Sequence, residues 1–385
     1  MKQGEEGYQG FEIGPIRPPS EANSLLLRLT RNCPWNQCNF CGLYKGQEFS
    51  LRPKAHILKD IDLIKEGVEV LKETTAQNNY SRRELLANLR ETLGTDGKRA
   101  YHEVLNWYQN GMKTIFLQDA NSLIMDVDDL VEILNYLNSN FPEVERITSY
   151  ARSHTIALMS AQELQRIAEA GLTRLHIGLE SGSDQVLDLI NKGVTQEQHI
   201  TAGQKIKETK IELSEYFMPG LGGVEYSEEN ALETAKALNQ INPDFIRIRT
   251  LVVTDNVPLK QQYQQGVFSR TNDQQMVEEI LLLIKNLTGI SSTVKSDHIL
   301  NLIPEVEGGL PADKSKMIDA LQWFLDLTEE EQMIFRLGRR TGIMQGMNDL
   351  RDSFKRERVK NYIAEKNISA ENVDDVVDQL MKRYI

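Results

Sequence analysis

Residues 174–183 read Arg174-Leu-His-Ile-Gly-Leu-Glu-Ser-Gly-Ser183. An apolar run of strand length comes first, small and polar residues then turn the chain, and a helical pattern starts at Asp184. A strand that turns directly into a helix is the repeating unit of parallel sheets, because parallel neighbours need a crossover between them. Outward from this stretch the unit recurs. Upstream lie the strand Lys113–Gln118, the helix Val127–Leu137, the strand Arg146–Tyr150 and the helix Ala161–Ala170, which stops at Gly171. Downstream lie the strand Ile211–Met218, the helix Ser227–Asn239 and the strand Phe245–Val252. A first strand, Ser24-Leu-Leu-Leu-Arg-Leu-Thr30, makes six, and this alternation predicts an α/β fold with right-handed crossovers. An open doubly wound sheet and a closed or partial barrel share that pattern. No Gly-x-Gly-x-x-Gly follows the first strand, which speaks against dinucleotide binding.

All three cysteines fall in one loop directly after the first strand, Cys33-Pro-Trp-Asn-Gln-Cys-Asn-Phe-Cys41. Disulfide staples come in even numbers spread over distant loops, so three clustered thiols read as ligands to a metal centre. Iron–sulfur cubanes as a rule take four thiolates, and three leave one iron open to a ligand that is not protein. A structural zinc site of three cysteines and a histidine is the alternative, although the nearest downstream histidine, His56, lies at no usual zinc-finger spacing. The loop after a parallel strand sits at its carboxyl end, where α/β barrels build their active sites.

The cysteine loop resembles that of the radical S-adenosylmethionine superfamily, whose mark is three cysteines with an aromatic residue before the last; Phe40 stands in that place. The usual spacing has three residues between the first two cysteines, and here Pro34, Trp35, Asn36 and Gln37 make four. The resemblance implies a partial six-stranded (β/α) barrel of the TIM-like class, with a [4Fe–4S] cluster on Cys33, Cys38 and Cys41. It further implies that the amino and carboxylate groups of S-adenosylmethionine chelate the unique iron, and that one electron cleaves the sulfonium to a 5′-deoxyadenosyl radical. Ile177-Gly-Leu-Glu-Ser-Gly-Ser183 is similar to the signature of the branch that contains the methylthiotransferases, the Elongator catalytic subunit and coproporphyrinogen dehydrogenase.

The same resemblance implies roles at the strand ends. Where many relatives carry Gly-Gly-Glu, this chain has Gln118-Asp-Ala-Asn-Ser122. Gln118, Asp119 and Asn121 offer oxygens to the methionine ammonium, Asp119 foremost, with a cap or turn residue as its alternative. Arg152 pairs with the cofactor carboxylate through its fork of donors, or is an ordinary surface arginine. Glu180 and Ser181 meet the ribose or methionine end. Met218-Pro-Gly-Leu-Gly-Gly223 resembles the glycine-rich segment beside the adenine, with Met218 and Gly220 at the ring. Arg247 and Arg249 share one strand face and suggest an anionic ligand, with Arg249 counted among the cofactor contacts; a structural arginine pair is equally open. His176 lies on the face of Glu180 one layer deeper, the place of a core histidine. Asp297, His298 and Asn301, polar residues in an apolar setting, are substrate contacts or satisfied core groups.

The expected organisation is an irregular arm over residues 1–22, a barrel over 23–255 and a mostly helical cap over 256–385 that closes the barrel mouth. Within the barrel lies a helical insertion at about 53–110, where Ile57, Ile61, Ile64, Val68 and Leu71 recur at helical spacing. That insertion is a lid or substrate wall, or a solvated embellishment. In the cap, Asp297–Ile303 reads as an added edge strand. The net charge of −12 and pI near 5.2 argue against a grip on a nucleic-acid backbone. No apolar run nears the ~20 residues that span a bilayer and no signal-peptide core opens the chain, so a cytoplasmic protein without a membrane partner is expected. There is no spare cysteine for a second cluster, no cobalamin domain before the barrel and no basic tail after it. These features together predict an enzyme acting on a small-molecule substrate, reduced by a donor such as flavodoxin or ferredoxin. A non-catalytic cluster protein that carries electrons or senses iron or oxygen is the reading from another class.

Overall fold

The computed structural model describes residues 7–76 and 80–384; the start of the arm and the middle of the Thr74–Tyr80 linker lie outside the described residues. Two compact units form, each discontinuous in sequence. The first takes Met1–Asn36, Leu43–Ile177 and Lys205–Glu212, and the second takes Gln37–Gly42, Gly178–Gln204 and Leu213–Ile385.

In the first unit, β1 (Leu25–Arg28), β2 (Thr114–Gln118), β3 (Arg146–Ala151) and the opening residues of β4 (Arg174–Glu180) pair in that order, all parallel. Leu25, Leu27, Ile115 and Leu117 are fully buried. Strands covered on both faces read as near-continuous apolar runs, which is how these were recognisable. The ladder is not closed: β1 pairs with β2 alone among the described residues. The insertion folds as α1 (Lys54–Ala76), α2 (Arg82–Leu93) and α3 (Ala100–Gln109). α1 buries Ile57, Ile61, Ile64, Val68 and Leu71, as their spacing requires. α2 opens on a capping box in which Ser81 and Glu84 satisfy each other's backbone, a cap contributing about 1 kcal/mol. Trp107 on α3 is fully buried and donates its indole N–H to the Thr114 carbonyl at 2.8 Å, fastening the insertion to β2.

In the second unit, β5 (Glu212–Phe217), β6 (Phe245–Ile248) and β7 (Thr293–Lys295) pair in parallel, and β8 (Gly308–Gly309) pairs antiparallel to β7. The strand expected over Phe245–Val252 stops at Ile248. Beyond it the Thr250 N–H turns to Asn301 Oδ1 at 3.2 Å instead of a strand neighbour. The edge strand expected at Asp297–Ile303 is a loop, and β7 and β8 take the edge. Its polar residues are the cause: Asp297 and Asn301 bond back to Arg249 and Thr250 and pull the backbone out of register. The helices Asp273–Asn286 and Glu329–Arg340 both begin at capping boxes. Buried Asp273 joins them through Arg340 at 2.6 Å and Arg336 at 3.2 Å. Burial alone pushes that carboxyl up, and the two guanidiniums bring it below the usual range. No helix among the described residues is long and apolar enough to cross a membrane.

Candidate active site

Asn32, held at φ 66°, leads from the end of β1 into the cysteine loop. Its backbone N–H donates to Asp119 Oδ2 at 3.1 Å, and the same oxygen accepts two Arg28 bonds at 2.6 and 2.9 Å. Four residues on, Asn36 stands at φ 48°, a region asparagine tolerates better than most residues. Its N–H donates to Cys33 Sγ at 3.4 Å, and its side-chain amide donates to the Tyr44 and Gln47 carbonyls at 2.6 and 3.1 Å. Asn36 thereby ties the first part of the cysteine loop to the backbone at Tyr44 and Gln47. In the second unit, Asn39 is tied to the Ile190 carbonyl through its N–H (2.7 Å) and to the Leu189 carbonyl through its amide (2.9 Å). Phe40 and Met218 pack against one apolar cluster that includes Val186, Ile190, Leu251 and Val253.

None of the three cysteines is in a disulfide, and each is half-buried. Accessible thiols on a loop that donates N–H to sulfur suit an iron–sulfur cluster, and the chain has no fourth cysteine to close it. Among the described residues no group of three or more histidine, cysteine, aspartate or glutamate side chains is arranged around a single metal ion.

At the end of β4, Glu180 adopts φ 64° and its Oε1 accepts from Lys192 Nζ at 3.2 Å. The Lys192 ammonium lies 5.7 Å from the Phe40 ring centroid. Gly178 makes room for this pair, since a Cβ there falls 2.3 Å from Glu180 Oε1 and 3.0 Å from Lys192 Nζ. On β5, Glu215 is fully buried and neither carboxylate oxygen makes a hydrogen bond of good geometry. Its pKa is driven well above the carboxylate range, first by burial and then by the Glu180 charge; Lys192 and the Leu179 backbone offset only part. A carboxyl that keeps its proton can donate as well as accept. Neither Lys192 nor Glu215 was singled out from sequence. The signal for Glu215 was there, a carboxylate inside an apolar strand; Lys192 sits in a turn with nothing to mark it.

Gly220, in the glycine-rich stretch after β5, has φ 85°, and a Cβ there falls 2.8 Å from Thr271 Oγ1. Fully buried Glu279 receives this stretch from the helix Asp273–Asn286. Both of its oxygens accept the Gly220 N–H, and Ser227 Oγ and Asn230 Nδ2 donate at 2.7 and 2.6 Å. Burial outweighs those donors and pushes its pKa up to about 7.

Several sequence assignments are corrected. Gln118 is spent on the arm: its Oε1 accepts the Gly14 N–H at 2.8 Å and its Nε2 donates to the Gly14 and Ile16 carbonyls. Asp119 is fully buried; its Oδ2 is bound to Arg28 and Asn32 and fixes the lead into the cysteine loop, while its Oδ1 makes no hydrogen bond of good geometry among the described residues. Ser181 is buried and accepts the Ser183 N–H at 3.0 Å, a turn residue. Asn301 uses its whole capacity, accepting from Thr250 twice and donating to the Ile248 carbonyl and Ser296 Oγ, which removes it as a substrate contact. His176 is a buried core residue, 3.4 Å from Ser20 Oγ and 3.7 Å from Glu21 Oε1 of the arm. Arg152 stacks 5.1 Å from the Trp35 ring centroid, which sets a candidate cofactor residue against the cysteine loop within the first unit. Arg247 and Arg249 share Asp297.

Residues 98–235 match the Radical SAM superfamily model. The span contains Glu180, Lys192, Glu215 and the glycine-rich stretch, and the cysteine loop precedes it. The tRNA uridine(34) acetyltransferase of Methanocaldococcus jannaschii is 20% identical over 264 residues, 64% of this chain and 46% of that protein. The mitochondrial tRNA methylthiotransferase of Homo sapiens is 23% identical over 249 residues, 60% of this chain and 38% of that protein. The chain thus spans less than half the length of these two curated relatives. Among solved structures, coproporphyrinogen III oxidase from Escherichia coli superposes with a TM-score of 0.46 at 14% identity, over 69% of this chain and 52% of that one.

Proposed function

We infer, from the premise that the chain belongs to the radical SAM superfamily and uses a [4Fe–4S] cluster and S-adenosylmethionine, that Cys33, Cys38 and Cys41 are the cluster ligands. S-adenosylmethionine is received by Glu180, Lys192, Glu215 and the Met218–Gly223 stretch. The catalytic body is residues 23–255, preceded in sequence by the arm 1–22 and followed by the helical cap 256–385. A [4Fe–4S] cluster held by Cys33, Cys38 and Cys41 would supply the electron that reductive cleavage of S-adenosylmethionine to methionine and a 5′-deoxyadenosyl radical requires. Glu215 carries its proton into the site and offers both a donor and an acceptor, which suits the two hydroxyls of a ribose. Lys192 supplies the positive charge that a methionine carboxylate requires, beside the carboxylate of Glu180. Phe40 and Met218 present an apolar wall to a flat ring, and Gly220 lets backbone approach it. Arg152, stacked on Trp35, holds a guanidinium beside the cysteine loop.

The observation that carries this reading is fully buried Glu215 with unspent oxygens facing Glu180 and Lys192. A buried carboxylate without a partner of good geometry calls for one, and a bound ligand is the partner inferred here. The test is electron paramagnetic resonance of the reduced, reconstituted protein: addition of S-adenosylmethionine shifts the cluster signal in the wild type. An unmoved signal at saturating S-adenosylmethionine contradicts the assignment.

The substrate is read as a small molecule, supported by the net charge of −12. RNA is the second reading, favoured by two relatives whose names specify tRNA. Filter binding of total tRNA at low salt separates them: no retention supports the small molecule, and submicromolar, salt-sensitive retention supports RNA.

A further inference from the structure

At the carboxyl end of β6 the second unit gathers two guanidinium groups around one carboxylate, Arg247 within the strand and Arg249 just past it. Arg247 donates through Nε to Ser214 Oγ at 3.0 Å and through Nη1 to Asp297. Arg249 donates through Nη1 to Asp297 Oδ1 and to the Ile248 carbonyl, both at 2.8 Å, and its guanidinium lies 4.9 Å from the Tyr216 ring centroid. Two positive charges thus share one negative charge, and this group keeps a positive charge unmatched. Arg249 Nη2 is buried and makes no hydrogen bond. A charged donor withdrawn from water without an acceptor is costly, and a water or a bound anion would satisfy it. Nη1 is spent on Asp297 and Ile248, and the remaining Nη2 suits an oxygen of a carboxylate or phosphate. His298, close enough for Arg249 to act on its titration, has its pKa lowered to about 4 by burial and by that charge. Its imidazole is neutral at pH 7, with Nδ1 accepting the Leu300 N–H at 3.4 Å.

We propose that the Arg249 edge, backed by Arg247 and Asp297, is a subsite for an anionic group, carboxylate or phosphate, of the substrate. The assignment of the anion to substrate rests on the small-molecule enzyme reading above. The methionine carboxylate of S-adenosylmethionine has the same chemistry and is the competing source. Asp297 already occupies one edge of each guanidinium, so it limits how tightly an incoming anion is held.

The test uses the full-length, anaerobically reconstituted protein and inorganic phosphate as probe, followed by 31P line broadening. Expected is saturable binding by the wild type, weakened at least tenfold in Arg249→Gln and about threefold in Arg249→Lys, which keeps the charge but loses the fork. Asp297→Asn tightens phosphate at least threefold, a gain that loss of folding does not imitate; thermal unfolding of each variant accompanies the titrations. The binding persists at saturating S-adenosylmethionine. No saturable binding by the wild type, an Arg249→Gln titration equal to wild type, or no gain in Asp297→Asn overturns the proposal. So does displacement of phosphate by S-adenosylmethionine with an equal loss of S-adenosylmethionine affinity in Arg249→Gln, which gives the edge to the cofactor. If the wild type forms no 5′-deoxyadenosine, the enzyme reading fails on its own, and the phosphate titration still decides whether the anion site exists.

Discussion

Glu279 accepts the Gly220 backbone N–H with both carboxylate oxygens, at 3.2 and 3.1 Å, and so holds the glycine-rich stretch after β5 from the helix behind it. Ser227 and Asn230 converge on the same group. Glu279→Ala strands these buried donors and destabilises the protein by about 3 kcal/mol, read from the urea midpoint. Glu279→Gln keeps one acceptor oxygen and costs about 1 kcal/mol.

The same residue sets a pH dependence. Folded Glu279 keeps its proton to about pH 7, whereas the unfolded carboxyl releases it near 4.5. Its contribution to stability is therefore complete below about pH 4.5 and is lost as the pH rises through 7. Relative to Glu279→Gln, the wild type loses urea resistance between those limits. A difference that moves the other way with pH contradicts the assignment. Glu215, shifted in the same direction by burial, adds to the trend.

Asp119 is a support for the cysteine loop. Asp119→Ala removes the main acceptor of Arg28, which keeps only Glu12 and Asn32 Oδ1, and the acceptor of the Asn32 N–H, at a cost of about 3 kcal/mol for a broken, largely buried pair. Iron retained per chain after reconstitution falls at least twofold, by colorimetric assay. Iron content equal to wild type removes the supporting role. Gln118→Ala acts elsewhere: it frees the arm at Gly14 and Ile16, and limited proteolysis cleaves there sooner while iron content holds.

Lys192 and Glu215 give unequal expectations for S-adenosylmethionine affinity in equilibrium dialysis. Lys192→Met leaves Glu180 facing the ligand carboxylate without its cation and weakens binding about tenfold, or about 1.4 kcal/mol. Glu215→Gln imitates the protonated acid and changes affinity less than about threefold. Equal losses from both show that Glu215 works as a carboxylate.

Much of this arrangement was legible in the residues. The buried parallel strands betray themselves as apolar runs, and α1 by its spacing. Asn36, at φ 48°, is a residue type that tolerates that backbone, and it anchors the first part of the cysteine loop. What stayed hidden depends on partners distant in sequence. Asn301 looks like a contact in waiting until Thr250, Ile248 and Ser296 are found on it. Asp119 looks free until Arg28 arrives from 91 residues away. Glu215 was passed over because a strand's apolar pattern hides one carboxylate, and Glu279 because helix periodicity says nothing about which loop a buried acid will hold.

The most direct test is anaerobic reconstitution followed by dithionite reduction in the presence of S-adenosylmethionine, with products resolved by liquid chromatography. Wild type is predicted to release 5′-deoxyadenosine and methionine in equal amounts, and Cys38→Ala neither above background. Wild type that carries a full [4Fe–4S] complement, binds S-adenosylmethionine and still releases no 5′-deoxyadenosine would contradict the central claim.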